Sequence, residues 1–579
     1  MNKKKNSQKN QKSFYFEDYN YFSKNEINFK TRLNISEDRI YLLFFVFFCL
    51  ISLFGIKILS TSLQDTKLKN THNYNNSIFS PSRGEIIDKN GEILAKNIRV
   101  YHAAIKPNLI KNKKNFILKL QLLYPEIDIE NIRSKLKKNK YFYLKKNITE
   151  EERAKIWSLG EKGLLFEMTQ TRIYPQKNLF SHIIGQTDSD NEGISGIEKS
   201  FDDELKSNDQ TVNMTLDTNI QFLIREELIK YQKIFKSLGS ASILMDINSG
   251  EILSMISLPD FDLNKRKVFD DVNYINRATK GVYELGSVFK TFTLAGALNE
   301  GILETDTEFK NLPKKITCAG RNIGEYDDKI PSDLTAEQIL IRSGNIGSVR
   351  IGQKIGAESM KNFLNIIGVL KKIEFDIEEV GEPVSFRWGK CKLATASFGH
   401  GITTTLLQLT KGYSIISNGG YNIRPTIIKK NYNEFNKDRI LNKNLSRKIN
   451  PILRKIVSTK EGTANFANIS GYDVGGKTGT AQKSSNGVYS KNKINTFVAI
   501  FPASQPKYIL SILLDDPKPN KDYIYHYKDG SGWKFKGTPY NTAGWTSVEI
   551  AGKIIEKIGP ILAINRIDFY DNHVVKKSN

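Results

Sequence analysis

Residues 40–56 form one apolar run, IYLLFFVFFCLISLFGI, interrupted only by Ser52 and Gly55, and the run continues past Lys57 to Leu59. A helix of about 20 apolar residues is long enough to cross the hydrocarbon core of a bilayer. A cleaved signal peptide is the alternative, but residues 1–39 make a long leader and no clear small-x-small cleavage site follows the run. We therefore expect a retained single-pass anchor at residues 40–59.

Basic residues outnumber acidic ones ahead of this run, and Lys3, Lys4 and Lys5 open the chain. The positive-inside rule then predicts a cytoplasmic tail at residues 1–39 and an external location for everything after about residue 60. In a bacterium with an outer membrane, this places the protein in the inner membrane with its bulk in the periplasm.

A chain of 579 residues with 39% apolar residues predicts several packed domains. The formal charge of +24 would suit a nucleic-acid partner if the lysines were clustered, but they are spread along the chain among 62 acidic residues. No nucleic-acid-binding motif accompanies them. We interpret the charge as solvated surface and expect no nucleic-acid partner.

Residues 60–80, rich in Asn, Ser, Thr and Lys, predict a linker. Two apolar runs then flank residues 88–91, Asp-Lys-Asn-Gly, which is a hairpin signal. Residues 81–215 mix short strand-like runs with charged helical stretches and contain few candidate catalytic groups. They predict a packing or docking module, in which the lone His182 is structural.

The pattern changes near residue 216, where Asp217 is placed to cap an amphipathic helix. Strand-like runs follow at 241–246 and 251–256, and later ones at 496–501 and 508–514, with helical stretches between that include 357–370 and 406–418. Early and late strands around a helical middle indicate an α+β domain whose antiparallel sheet is built from both ends of the segment. We expect this domain at 216–565 and a tail at 566–579.

Three short clusters carry the chemistry, in the order Ser287-Val288-Phe289-Lys290, Ser343-Gly344-Asn345 and Lys477-Thr478-Gly479-Thr480. Ser-x-x-Lys alone is weak evidence because it also occurs elsewhere, for example at Ser134/Lys137 and Ser504/Lys507. Lys-Thr-Gly occurs once. The order and spacing of the three clusters therefore carry the prediction, and the trio is typical of serine acyl-transferring enzymes that react with penicillin.

Local context selects Ser287 as the nucleophile. Gly286 precedes a predicted helix in which Phe289 and Phe292 face inward, so Ser287 would lie on the first turn. Residues i and i+3 share one helix face, and Lys290 can then accept the hydroxyl proton if burial and a nearby cation such as Lys477 lower its pKa. The helix N-terminus would favour a developing oxyanion.

Histidines and cysteines offer no competing site. Neither His182 nor His400 lies in a nucleophile-elbow motif, so a Ser-His-Asp arrangement is not indicated. Cys49 falls in the apolar run, whereas Cys318 and Cys391 either pair in an oxidising compartment or remain free thiols. No cysteine has the spacing of a metal ligand, so we expect no metal and no cofactor.

Together, these motifs resemble those of the class B penicillin-binding proteins, and the likeness extends from the anchor to about residue 565. Residues 83–91 (RGEIIDKNG) resemble the family's interdomain motif, with Lys89 where Arg is usual, and residues 192–198 (EGISGIE) resemble its pedestal motif. The resemblance implies a transpeptidase domain of the penicillin-binding-protein and serine β-lactamase type on an N-terminal pedestal of the dimerisation type at 81–215.

The resemblance also implies roles for the motif residues. Ser287 would form an acyl-enzyme with a D-Ala-D-Ala stem peptide of peptidoglycan, Lys290 would deprotonate it, and Ser343 would relay a proton. Asn345 would hold the donor amide, and Lys477, Thr478, Gly479 and Thr480 would bind the donor, with backbone N–H groups of Ser287 and Thr480 as the oxyanion hole. D-Ala would leave, and β-lactams would acylate the same serine.

Within the family, residues 283–286 (YELG) ahead of the nucleophile and residues 542–545 (TAGW) resemble the division-type FtsI enzymes. That implies septal cell-wall synthesis alongside an FtsW-like glycan polymerase and other divisome membrane proteins. An elongation-type transpeptidase, a non-catalytic β-lactam sensor or divisome scaffold, and a serine β-lactamase are the alternatives. Gly344 replaces a common Ser but leaves both expected active residues of the second motif in place.

Overall fold

The computed structural model describes residues 27–63, 83–207, 210–265, 272–429, 438–485 and 488–575. The chain divides into two units, Met1–Ser80 and Pro81–Asn579. In the first unit, helix α1 spans Ile27–Leu63, and its segment Ile40–Ile58 has a mean hydropathy of 2.4 with none of it buried. By length and composition this segment fits a single-pass membrane anchor, at the position predicted.

The second unit begins with a five-stranded sheet and six helices. The strands are β1 (Ile86–Ile87), β2 (Ile93–Ile105), β3 (Phe142–Ile148), β4 (Leu164–Ile173) and β5 (Val212–Asn213). The helices are α2 (Lys113–Leu123), α3 (Ile129–Lys137), α4 (Glu150–Trp157), α5 (Ser181–Ile184), α6 (Gly196–Ser200) and α7 (Asp202–Lys206). Strands β1 and β2 pair antiparallel across residues 88–91, which confirms the predicted hairpin.

The remainder of this unit carries nine further helices and thirteen further strands among the described residues. The helices are α8 (Thr218–Phe235), α9 (Phe289–Asn299), α10 (Ala336–Ile341), α11 (Asn345–Ile355), α12 (Ala357–Ile366), α13 (Lys390–Ala396), α14 (Leu406–Ser417), α15 (Leu445–Ser458) and α16 (Ser547–Val575). The strands are β6 (Gly239–Asp246), β7 (Ile252–Leu258), β8 (Tyr283–Glu284), β9 (Glu308–Phe309), β10 (Lys315–Cys318), β11 (Arg321–Gly324), β12 (Leu334–Thr335), β13 (Thr403–Thr404), β14 (Gly475–Ser485), β15 (Val488–Phe501), β16 (Tyr508–Asp515), β17 (Ile524–His526) and β18 (Lys534–Lys536).

The central sheet has the strand order β14-β15-β16-β6-β7, and all neighbours are antiparallel. Its strands come from the two ends of the segment, as the sequence predicts, and every residue of β7 is buried. Asp217 caps α8 by accepting hydrogen bonds from the backbone N–H groups of Asn219 (3.0 Å) and Ile220 (3.1 Å). The α+β fold class is confirmed.

Helix α9 lies in the core, with all its residues from Phe289 to Leu298 buried. Phe292 packs edge-on against Tyr413 of α14 at a centroid distance of 5.1 Å. An apolar helix buried on all sides is held rigidly because interiors pack at close to crystal density. The residue that precedes such a helix therefore has a well-defined position.

Cys318 at the end of β10 and Cys391 on α13 form a disulfide across 73 residues of chain. The structure thus selects the paired form from the two possibilities that the sequence left open. Pairing requires Cα atoms within about 7 Å of each other, a distance that only the tertiary fold supplies. Here the distance is 5.6 Å.

Candidate active site

Ser287 lies in a 3₁₀ turn, Gly286–Val288, that leads directly into α9, and its side chain is half-buried. Gly286 has a φ of +65°, and a Cβ there would lie 2.5 Å from the carbonyl oxygen of Thr480. Only glycine combines this backbone conformation with so close an approach. The turn that carries Ser287 is therefore pressed against β14.

The strand β14 carries Lys477, Thr478, Gly479 and Thr480 at this contact. Gly479 has the reciprocal role, because a Cβ there would lie 2.2 Å from the carbonyl oxygen of Leu285. The Thr480 hydroxyl accepts a 3.0 Å hydrogen bond from the backbone N–H of Ala543, and Thr478 Oγ1 lies 2.8 Å from Thr463 Oγ1. Both threonine hydroxyls are thus held in place by segments that sequence reasoning had not linked to them.

Ser343 lies between α10 and α11 with a φ of +57°, a left-handed conformation that is uncommon for a serine. Such a backbone costs about 1–2 kcal/mol and is kept where surrounding contacts hold it, often at functional sites. Its hydroxyl lies 3.2 Å from Lys290 Nζ and 2.9 Å from Lys477 Nζ. One hydroxyl therefore connects the lysines of two motifs.

Asn345 is the first residue of α11. Its Oδ1 accepts a 2.7 Å hydrogen bond from Lys290 Nζ, and its Nδ2 donates a 2.7 Å hydrogen bond to the carbonyl of Gly324. Lys290 also donates to the carbonyl oxygen of Ser343. The Lys290 amine thus has three acceptors from the second motif, and its position is fixed.

Burial sets the acid–base properties of both lysines. It lowers the pKa of Lys290 to about 7, against an opposing effect of the Glu325 carboxylate. Burial, together with the positive charge of Lys290, lowers the pKa of Lys477 well below its ordinary value. Two buried ammonium groups so close together repel each other, so near neutral pH at least one of the amines is available as a base.

Among the predicted site residues, the structure brings Lys290, Ser343, Asn345 and Lys477 into one hydrogen-bonded group. Ser287, Gly479 and Thr480 lie at the adjoining contact between the 3₁₀ turn and β14, described above. This combination supplies a serine hydroxyl at the start of a helix, a buried amine of lowered pKa on the same helix and a second hydroxyl linked to that amine. Such a set can support nucleophilic acyl transfer.

Two supporting residues carried no signal in the sequence. Tyr413 is fully buried, and its hydroxyl donates a 2.7 Å hydrogen bond to the carbonyl of Val288, the residue after Ser287. Glu325 accepts hydrogen bonds from the backbone N–H groups of Asn345 (2.6 Å) and Ile346 (2.8 Å). Both lie outside the motifs, and only the fold brings them to the site.

His182 is half-buried and lies outside these motifs, and its Nε2 lies 2.9 Å from the carbonyl oxygen of Asn273. Burial lowers the pKa of its ring to about 4, so the ring is neutral and packs edge-on against Phe261. Within the described residues, no three His, Cys, Asp or Glu side chains converge in an arrangement that could hold a metal ion.

Comparisons with known proteins identify two domain families in the sequence. The sequence profile of the penicillin binding protein transpeptidase domain matches residues 240–531, and that of the penicillin-binding protein dimerisation domain matches residues 78–233. A solved structure of a peptidoglycan synthetase from Bifidobacterium adolescentis shares the fold, with a TM-score of 0.62 at 21% identity, over 84% of this chain and 96% of that one.

Curated relatives extend along most of the chain. A probable peptidoglycan D,D-transpeptidase FtsI from Caulobacter vibrioides is 28% identical over 84% of this chain and 82% of its own length. Stage V sporulation protein D of Bacillus subtilis is 28% identical over 76% and 75%, and Escherichia coli FtsI is 26% identical over 77% and 81%. From the transpeptidase and dimerisation domains, the motif geometry and these relatives, it follows that the chain belongs to the class B penicillin-binding proteins.

Proposed function

We propose that this protein is a peptidoglycan D,D-transpeptidase that cross-links stem peptides through an acyl-enzyme on Ser287. The observation that carries the proposal is the Ser343 hydroxyl, which both Lys290 and Lys477 contact. It gives the base beside the nucleophile a route for protons to and from a bound peptide. The proposed transpeptidase domain is 216–565, standing on a pedestal at 81–215.

In the proposed reaction, neutral Lys290 accepts the proton of Ser287 as Ser287 Oγ attacks the carbonyl carbon of the penultimate D-Ala. The C–N bond to the terminal D-Ala then breaks, and the leaving amine takes a proton relayed through Ser343. An amine of a neighbouring stem peptide then attacks the ester and gives up a proton to the neutral lysine as the cross-link forms. The ester C–O bond breaks, and Ser287 regains that proton from the lysine. Each step is general acid–base and covalent catalysis without an external oxidant or reductant.

The remaining motif residues bind the donor in this proposal. Backbone N–H groups of Ser287 and Thr480 bind the oxyanion, which is consistent with the close packing of Gly286 on Thr480. Lys477, Thr478 and Thr480 bind the terminal carboxylate, and Asn345 holds the donor amide. Gly479 has no side chain, so β14 can pack closely against the 3₁₀ turn that carries Ser287. β-Lactams acylate Ser287 because they mimic the donor.

We further propose that the anchor keeps the N-terminus in the cytoplasm and the catalytic part in the periplasm. The charge asymmetry around the apolar run supports this orientation. The Cys318–Cys391 disulfide supports it independently, because disulfides persist in oxidising compartments such as the periplasm and are rare in the cytosol.

A septal role is the finer part of the proposal. Residues 283–286 and 542–545 support it through their resemblance to FtsI enzymes, and two relatives carry the FtsI name. An FtsW-like glycan polymerase and other divisome proteins are then the expected membrane partners. Depletion of the protein should give filamentous cells, and in undepleted cells the protein should lie at midcell. Round cells after depletion would instead indicate an elongation enzyme.

The catalytic proposal is tested on the full-length protein in detergent. A fluorescent penicillin should label the wild type and leave Ser287→Ala unlabelled, and the wild type should release D-Ala from a stem-peptide donor. Labelling of Ser287→Ala would refute the assigned nucleophile. Labelling of the wild type without D-Ala release would instead indicate a β-lactam sensor or scaffold.

A further inference from the structure

A hairpin outside the three motifs reaches the active site. Strands β10 and β11 pair antiparallel from Lys315↔Gly324 to Cys318↔Arg321, and the chain continues directly into Glu325. The disulfide from Cys318 to Cys391 ties the hairpin to α13. The hairpin is therefore fixed covalently at its tip and ends at the second motif.

The Glu325 carboxylate caps the helix that Asn345 begins. Oε2 accepts a 2.6 Å hydrogen bond from the backbone N–H of Asn345, and Oε1 accepts a 2.8 Å hydrogen bond from that of Ile346. A carboxylate at this position satisfies N–H groups that a helix leaves unpaired and interacts favourably with the positive end of the helix dipole. Gly344, the N-cap residue itself, has no side chain to do so.

The same segment orients the Asn345 side chain. Its Nδ2 donates to the carbonyl of Gly324 at 2.7 Å, which turns Oδ1 toward Lys290 Nζ, also at 2.7 Å. An amide that donates on one side presents its acceptor on the other. The backbone of Asn345 and its side chain are thus both held from residues 324–325.

The charge of Glu325 also affects the protonation of Lys290. The charged groups that face Lys290 are Lys477 from β14 and Glu325 from the end of the hairpin. The Glu325 carboxylate raises the pKa of Lys290, against the larger opposing effect of burial. Replacing this carboxylate by a neutral group must therefore lower the pKa of Lys290 further.

We propose that Glu325 is a positioning residue for acylation, which acts by holding Asn345 so that Asn345 Oδ1 keeps the Lys290 amine aligned with Ser343 and the nucleophile. The inference rests on the proposed acylation of Ser287. Glu325 does not touch the reacting atoms in this scheme. Its effect reaches them in two ways, through the Asn345 side chain that it holds and through the charge that it places near Lys290. Displacement of a catalytic group by about 1 Å can cost about 100-fold in rate.

The test measures the second-order rate of acylation by a fluorescent penicillin across pH, using full-length wild type, Glu325→Gln and Glu325→Asp in detergent. Glu325→Gln removes the charge at nearly constant size, and we expect its rate to fall about 10-fold, with the acidic limb of the profile displaced to lower pH. Glu325→Asp keeps the charge, so its acidic limb should coincide with that of the wild type.

Asp128→Asn is the matched control, because Asp128 caps α3 through Asn131 N at 3.0 Å in the pedestal. It should leave the rate and the profile unchanged. The position of the limb does not depend on the amount of folded protein, so it is informative even for a variant of low yield. An unmoved limb in Glu325→Gln, with or without a slower rate, would overturn the inference, as would a displaced limb in Glu325→Asp.

The two proposals fail separately. A wild-type protein that takes no label would remove the proposed function itself. If the wild type is labelled and Glu325→Gln has the same acylation rate and pH profile as the wild type, only the role of Glu325 is removed.

Discussion

Lys477 donates a 2.9 Å hydrogen bond to the hydroxyl of Ser343, which joins the edge strand of the central sheet to the helical side of the transpeptidase fold. Lys290 reaches the same hydroxyl from α9. The two lysines are fully buried and close enough to affect each other's protonation. The acid–base behaviour of the site is therefore shared by the group.

Acylation should depend on pH through Lys290, whose pKa burial lowers to about 7. The amine is a base only when neutral, which is the case above that pKa, so the rate should rise as the pH increases through about 7. Stopped-flow or gel measurement of penicillin acylation from about pH 5.5 to 8.5 provides the profile. A rate that stays constant over this range would contradict the role of Lys290, provided that fluorescence shows the protein folded throughout.

Gly286→Ala should abolish most labelling. The new Cβ would meet the carbonyl oxygen of Thr480 at 2.5 Å, so the turn must move and carry Ser287 with it. A loss of about 100-fold in acylation rate is expected for a displacement of this kind.

Gly301→Ala is the matched control for that variant, because Gly301 also has a positive φ, of +67°, but nothing lies within 4 Å of a Cβ there. It should cost about 1 kcal/mol of stability with the acylation rate retained. Equal rates for the two alanine variants would show that the contact at Thr480 does not position the nucleophile.

The pedestal depends on a buried ionic cluster. Glu198 is fully buried and lies 2.7 Å from both Arg83 Nε and Arg172 Nε. Glu198→Gln would leave the buried Arg172 guanidinium without its anion and Arg83 with Asp202 alone. Loss of one partner from such a cluster costs about 3–5 kcal/mol. Thermal unfolding of the full-length protein should show a large decrease in midpoint.

Glu192→Gln serves as the comparison, since Glu192 pairs with Lys206 at an exposed position in the same stretch of sequence. Exposed ion pairs contribute about 0–1 kcal/mol, so its midpoint should stay close to that of the wild type. A Glu198→Gln variant as stable as Glu192→Gln would refute the structural role of the cluster.

Removal of the disulfide should weaken the protein measurably. The bond closes 73 residues of chain, and the chain-entropy model assigns such a loop about 4 kcal/mol. Cys318→Ser/Cys391→Ser should lose penicillin labelling after milder heating than the wild type, whereas Cys49→Ser, which removes the free cysteine of the anchor, should not. Equal heat resistance of all three proteins would contradict this prediction.

The elements that sequence could predict are those encoded locally. The predicted helix at 406–418 corresponds to Leu406–Ser417, and the capping residue Asp217 is confirmed. The predicted helix at 357–370 ends earlier, at Ile366, because Gly368 adopts a φ of +80° that a helix cannot continue through.

Long-range features needed the fold. The sequence left the pairing of Cys318 and Cys391 open because pairing depends on a tertiary distance. Glu325 lies 20 residues before Asn345 and directly follows the β10–β11 hairpin. The residues next to it in the sequence do not distinguish it from a surface acid. The motifs gave the reactive groups, whereas the residues that hold those groups come from segments without a motif.

The most direct test of the central claim is mass spectrometry of the intact full-length protein after treatment with penicillin, followed by peptide mapping of the adduct. The account predicts one covalent penicilloyl adduct per chain, located on Ser287. An unmodified protein, or an adduct on a peptide that lacks Ser287, would contradict it.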